Sequence, residues 1–214
     1  GEAAGPANLA HARFELGSVL AQQGDLAGAV ARYRDALEVA AAGGEAATSW
    51  HILAYNNLAY HLHLLGDPSA LTYARSGLSL AQERGAIGLQ PYLLSTLGEI
   101  ALAQGDLGTA ERHFAEGLAL AGRLDIPERV AGLTANLGLV AARRGQSALA
   151  IHRLSTAQAR ADALGVRHLA AQIRIWLAPL LPPEAARAAL AEARAIAESG
   201  GRRRLLEEIE ALNM

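Results

Sequence analysis

The chain contains no cysteine, which removes disulfides, thiolate nucleophiles and cysteine-based zinc sites together. It also contains no lysine: all 19 basic residues are arginine. A Walker-type phosphate loop, a kinase-like ATP lysine and Schiff-base chemistry are therefore excluded. Aromatic residues are scarce, 4% against 51% hydrophobic residues, so the interior has to be built from Leu, Ala and Gly, a composition suited to closely approaching helices. An excess of charge is missing as well. A net charge of −2 and a pI near 6.4 argue against a broad electrostatic footprint for nucleic acid or anionic lipid. No stretch reaches the roughly 20 apolar residues of a membrane span. The start GEAAGPANLAHARFELG lacks the basic region and apolar core of a signal peptide, which points to the cytoplasm. The opening Gly1-Glu2 reads as a cut from something longer.

What is present is a repeat. Leu16-Gly17, Leu58-Ala59, Leu97-Gly98 and Leu137-Gly138 each precede a helix-length apolar stretch and a turn at Gly24, Gly66, Gly105 or Gly145. The leucines step by 42, 39 and 40 residues, and the turn glycines step by the same amounts. Units of this kind cannot bury their own apolar faces and become stable by stacking on neighbours. Each unit reads as two helices, with apolar residues at helical spacing: Leu26, Ala29, Val30, Tyr33, Ala36, Leu37 and Ala40 in one, Leu107, Ala110, Phe114, Gly117, Leu118 and Ala121 in another. Asp125, followed by Pro127 and Glu128, reads as a helix cap with a first-turn proline and an acidic first turn. The Gly-Asp and Gly-Gln turns put glycine at a left-handed helix ending with a capping side chain next.

The expected organisation is one repeat domain over residues 1–214, with helix pairs at about 7–42, 46–84, 88–123, 127–164 and 167–199 and a capping helix at 202–213. The fifth pair is worn, with Pro182-Pro183 in place of a glycine turn, so its first helix should run about one turn short. The last helix presents Leu205, Ile209 and Leu212 on one stripe. Its arginines come first and its glutamates last, the wrong way round for the helix dipole. Packing of the stripe must hold it, as a polar-backed cap.

Chemistry is absent from the pattern. His61 and His63 stand two apart and point to nearly opposite sides of a helix. His113 and Glu116 share a face without a second such pair. Leu16-Gly17-Ser18 sits mid-helix, where a nucleophile elbow cannot form. Gly43-Gly44 and Gly200-Gly201 fall between helices as connectors. The reading is of no enzyme, with no catalytic residue, no cofactor and no metal.

These units resemble the tetratricopeptide repeat (TPR), through Leu16-Gly17, Leu20, Ala29, Tyr33 and Ala36 in the first copy and Leu97-Gly98, Ala101, Ala110, Phe114 and Gly117 in the third. The period of about 40 is longer than the usual 34 and is similar to the repeats of kinesin light chains and large bacterial regulators. The resemblance implies an all-α, right-handed superhelical solenoid whose first helices line a concave groove for extended peptides. Small residues at 17, 59, 98 and 138 would then let paired helices approach, and those at 36, 77, 117 and 157 neighbouring units. Groove positions implied are Asn57 and Asn136 first, whose carboxamides carry donor and acceptor together, then Asn56, Tyr60, Tyr92, Glu99, Arg143 and Trp176. Asn56-Asn57-Leu58-Ala59 resembles the corresponding segment of peptide-binding members with long periods. Asn57 and Asn136 can equally bond a neighbouring helix or water. The two-lysine clamp used for chaperone tails cannot exist here.

The function so implied is a peptide- or protein-binding scaffold, the sensor or assembly region of a larger bacterial cytoplasmic regulator, with no direct contact to nucleic acid or membrane. The alternatives are a self-association module forming a homodimer, and a small-molecule sensing domain of an ATP-dependent transcriptional regulator.

Overall fold

The structure is a computed structural model that describes residues 5–212; the reading of Gly1-Glu2 and the expected last helical residue, Asn213, lie outside them. Eleven α-helices follow in order: α1 (Pro6–Gln22), α2 (Leu26–Ala42), α3 (Thr48–Leu64), α4 (Ala70–Glu83), α5 (Gln90–Ala103), α6 (Leu107–Arg123), α7 (Pro127–Arg143), α8 (Ser147–Ala163), α9 (Arg167–Leu177), α10 (Pro183–Ser199) and α11 (Arg203–Leu212). Short 3-10 turns precede α3 and α5 and follow α9. Among the described residues there is no strand, and no helix is long and apolar enough to cross a membrane. The fold is all-α, and the chain forms two compact units, Gly1–Ile100 (unit 1) and Ala101–Met214 (unit 2).

The turns explain the regular helix lengths. Gly105 takes φ +79, a left-handed conformation that an L side chain would strain, and Asp106 then accepts the Thr109 N–H at 3.0 Å. That bond holds the Asp106 carboxyl below its ordinary value, the backbone N–H of Thr109 being the main cause. Asp25 caps α2 the same way through Gly28 N–H at 2.8 Å. Asp67 departs from the expectation, since it takes the N–H and hydroxyl of Ser69 at 2.8 and 2.6 Å and closes the turn ahead of α4. Gln146 makes no cap bond.

Asp125 is a correction. It does not cap α7; Ile126 holds that position without a side-chain bond. Asp125 instead adopts φ +51, the left-handed place that Gly85 and Gly165 hold after α4 and α8. Asp tolerates that region better than bulky residues do, and Asp-Ile-Pro satisfies both readings by sequence alone. Pro127 and Glu128 do stand in the first turn of α7.

In unit 1, α1 packs on α2, α2 on α3 and α3 on α4. The approach of α2 to α1 depends on Gly17, where a Cβ would lie 2.8 Å from the Tyr33 ring. At Gly77 in α4 a Cβ would lie 2.7 Å from Leu93 and 2.8 Å from Tyr55 Cβ. Ala29, Tyr33, Leu58, Leu62, Ala74 and Leu97 fill the core between. In unit 2, α6 packs on α7, α7 on α8, α8 on α9 and α9 on α10. Gly138 plays the part of Gly17, with Leu154 Cγ 2.8 Å from a Cβ placed there.

Helix α9 has 11 residues against 17 in α7 and ends in a 3-10 turn ahead of Pro182, so the fifth pair is shortened as its sequence implies. Leu205 and Ile209 of α11 are buried against Ala193 and Ala197 of α10. Leu212, expected on the same stripe, is exposed, because the packing ends one turn earlier. Arg203–Glu207 and Arg204–Glu208 pairs at 2.9 and 3.0 Å run along α11; such surface pairs contribute about 0–1 kcal/mol, leaving the apolar contacts to hold the helix.

Candidate functional site

In unit 1 a ladder of neutral polar side chains crosses the helices. Tyr33 of α2 lies over Gly17, is 1% exposed, and donates its hydroxyl to Ser18 Oγ of α1 at 3.2 Å. Ser18 in turn donates to the Phe14 carbonyl at 3.2 Å. Burial pushes the Tyr33 phenol above its ordinary value, against smaller lowering by its bonds to Ser18 and Asn57, so at neutral pH it remains a protonated donor. Asn57 of α3 comes next: Asn56 Nδ2 donates to Asn57 Oδ1 at 3.2 Å. Thr96 of α5 then donates to Asn56 Oδ1 at 2.9 Å. Ser18, Tyr33, Asn57, Asn56 and Thr96 thus link residues on four helices.

The two asparagines are half-buried. Each carboxamide has four hydrogen-bonding positions, and the ladder uses only part of that capacity. His61 sits one turn beyond Asn57 and contacts the Asn57 carbonyl through Nδ1 at 2.7 Å; an acceptor at that distance requires the proton on Nδ1. Its ring lies 5.1 Å from Tyr33 and edge-on to Tyr60 at 5.2 Å. Tyr60, Tyr92 and Glu99 are half-buried, and Ser95 donates to Glu99 at 3.0 Å.

Beside the ladder is an aromatic cluster that sequence reasoning missed. His11 stacks on Trp50 with centroids 4.0 Å apart and planes 13° apart. Phe14 lies 5.6 Å from Trp50 and 5.5 Å from Tyr33. The signal was in the spacing: His11 and Trp50 stand seven residues, two helical turns, before Ser18 and Asn57.

The remaining implied positions belong to unit 2. Asn136 on α7 is buried, 4% exposed; Arg143 ends α7 in solvent; Trp176 on α9 is half-buried against the α8–α9 core. The polar chemistry of unit 2 is ionic. Arg174 of α9, its side chain 9% exposed, makes paired bonds to Asp162 of α8 at 3.1 and 3.0 Å and a third to Glu192 of α10 at 2.8 Å. Gln172 donates to Glu208 of α11 at 2.6 Å, and Arg204 bonds the other oxygen of that carboxylate. Among the described residues no cluster of three or more His, Cys, Asp or Glu side chains could hold a metal ion.

No protein-family model matches the chain, and no curated protein does. Solved structures match it in backbone. The apo form of RapI aligns over 97% of this chain and 82% of its own, with a TM-score of 0.73 at 14% identity. A single-residue variant of a Podosopora anserina putative kinesin light chain with nearly identical TPR-like repeats aligns over 92% of this chain and 98% of its own, with a TM-score of 0.59 at 18% identity. The fold is the TPR-like helical repeat. BtubC (BKLC) from P. vanneervenii is a further match, with a TM-score of 0.66 and 21% identity over 97% of this chain and 82% of its own. At such identities the likeness concerns the TPR-like fold and no individual binding residue.

Proposed function

We propose that this TPR-like chain is a non-enzymatic scaffold that binds an extended peptide or protein segment. The helix pairs act as one repeat domain, and the first-helix face of unit 1 supplies the anchor. The observation that carries the reading is the Ser18–Tyr33–Asn57–Asn56–Thr96 ladder. Its members are uncharged, hold fixed rotamers through mutual bonds, and offer both donors and acceptors on half-buried carboxamides. A peptide backbone presents the complementary alternation of N–H and C=O at every residue. A surface ordered before binding loses little side-chain entropy on association. The His11–Trp50 stack beside it supplies an apolar contact for one ligand side chain. In unit 2, Asn136 stands on α7 at the repeat position of Asn57, with Arg143 and Trp176 as that unit's other implied positions. The finer reading is of a sensor or assembly region in a cytoplasmic bacterial regulator.

The test begins with selection of a binding peptide from a random-sequence library. Calorimetry with Asn57→Ala, and with Asn57→Ala plus Asn136→Ala, should show affinity falling about tenfold or more for the single variant, the worth of one or two hydrogen bonds, with helicity by circular dichroism unchanged. Wild-type affinity in the double variant would remove the asparagines from the account.

A further inference from the structure

Charge on the first helices of unit 1 is sparse and one-sided. Helices α1, α3 and α5 hold only Arg13, Glu15 and Glu99 among Asp, Glu, Lys and Arg. Arg13 stands two residues from Glu15, on nearly the opposite side of α1, and is drawn to Asp35 of α2 at 3.8 Å, which it shares with Arg32. The charges left beside the polar ladder are both carboxylates, Glu15 three residues before Ser18 and Glu99 three residues after Thr96. Three residues make about one helical turn, so each stands on the ladder's own face. Glu99 is half-buried and takes the Ser95 hydroxyl. Glu15 is the more accessible, its side chain 57% exposed, with His11 at 3.6 Å one turn back on α1. An exposed contact of that length holds little, so a stronger cation can replace it.

The rings next to Glu15 complete the arrangement. His11 stacks on Trp50, and Phe14 tilts against both Trp50 and Tyr33. Phe14 and Trp50 are half-buried, so these rings keep surface toward water. Glu15 also reaches the ladder: its charge adds to the dominant effect of burial in raising the Tyr33 phenol. A carboxylate at the rim of an aromatic cluster selects for positive charge. The ring faces attract a cation through their quadrupole, and the carboxylate adds a charge-assisted hydrogen bond. Guanidinium suits both, being planar, able to stack on rings and able to donate in a fork, while its apolar stem covers ring surface. An acidic ligand side chain would meet Glu15 and the negative ring faces together.

We infer that the segment bound by unit 1 is basic, and that one of its arginines is held between the Glu15 carboxylate and the His11–Phe14–Trp50 rings. This rests on the peptide-binding reading above and gives that ligand a charge. The ladder meets backbone N–H and C=O groups whatever side chains the segment carries; Glu15 and the rings choose one of those side chains.

The probes are the peptides recovered from a random-sequence library by selection on the 214-residue chain. Arginine should be enriched at one fixed position among them. Changing that arginine to glutamine in the tightest peptide should weaken its binding about tenfold. Glu15→Gln should weaken the unaltered peptide by a similar factor, and the two changes together should cost little more than either alone. Added salt should weaken binding to the wild type more than to Glu15→Gln. Because Glu15 is exposed, that variant should keep the wild-type helicity and melting temperature, measured on the same samples. Peptides that bind and lose affinity with Asn57→Ala, yet show no arginine preference, would overturn this inference and leave the peptide-binding reading standing. So would an arginine whose replacement costs as much in Glu15→Gln as in the wild type. Recovery of no binding peptide would overturn both.

Discussion

Unit 1 and unit 2 share one way of packing and differ in how they handle polar groups. Both bring paired helices together over a glycine, Gly17 under Tyr33 and Gly138 under Leu154. Unit 1 holds seven of the nine aromatic residues and links its helices through neutral hydroxyls and carboxamides that stay half-exposed. Unit 2 is mostly aliphatic and ties α8, α9 and α10 through a buried guanidinium that spends its donors on Asp162, Glu192 and the Ala170 carbonyl. The neutral ladder is the surface proposed above to meet a ligand. The Arg174 network, with a buried guanidinium and two half-exposed carboxylates, ties three helices of unit 2 together. The same backbone repeat thus carries a neutral polar ladder, the proposed recognition surface, in one unit and an arginine-centred ion network in the other.

The largest effects should be common to both units. Gly77→Leu in unit 1 and Gly138→Leu in unit 2 should each cost about 2–3 kcal/mol by overpacking, which corresponds to about 5–10 °C in Tm for a chain this size. Calorimetric melts giving a large loss in only one unit would break the shared packing. Next comes Arg174→Ala. Its partners Asp162 and Glu192 are 41% and 62% exposed and return to water once the arginine is gone. The loss should therefore be about 1–2 kcal/mol, below the roughly 3–5 kcal/mol of a stranded buried charge, and Arg174→Met should restore most of it. Asn57→Ala should cost less, about 0.5–1 kcal/mol; urea titration giving it the larger loss would make the ladder a brace as well.

A smaller change runs the other way. Asp125→Gly should stabilise the chain by about 0.5–1 kcal/mol, since it relieves an L residue at φ +51. The smallest effect is with pH. His51 stacks on Tyr55, and burial, with a lesser push from Arg84, holds its pKa below the ordinary 6.5. Between 6.5 and that lowered value the unfolded chain binds more protons than the folded one, so stability falls as the pH drops through this window. His51→Gln should flatten that slope in melts between about pH 7 and pH 5.

The repeat was legible because its marks are local. Leu-Gly pairs, turn glycines and the small stripes of the second helices each report on a helix or a turn without reference to the rest. Gly24, Gly66, Gly105 and Gly145 all carry the positive φ their positions implied. What escaped depends on a partner far along the chain. Arg174 looks like a surface residue until Asp162 and Glu192 are brought to it from neighbouring helices. Asn56 acquires a role only when Thr96 arrives from forty residues on. Leu16 reads as core in every alignment of the copies, yet it stands exposed, because burial at that position belongs to the unit in front. Asp125 satisfies two local rules at once, and backbone conformation alone separates them.

The proposed division between a recognising unit 1 and a bracing unit 2 is tested most directly by one paired titration. Binding of the library-selected peptide is measured by calorimetry for wild type, Asn57→Ala and Arg174→Met under identical conditions. The expected result is an affinity loss of about tenfold for Asn57→Ala and wild-type affinity for Arg174→Met. Wild-type affinity for Asn57→Ala, with weakened binding for Arg174→Met, would contradict it.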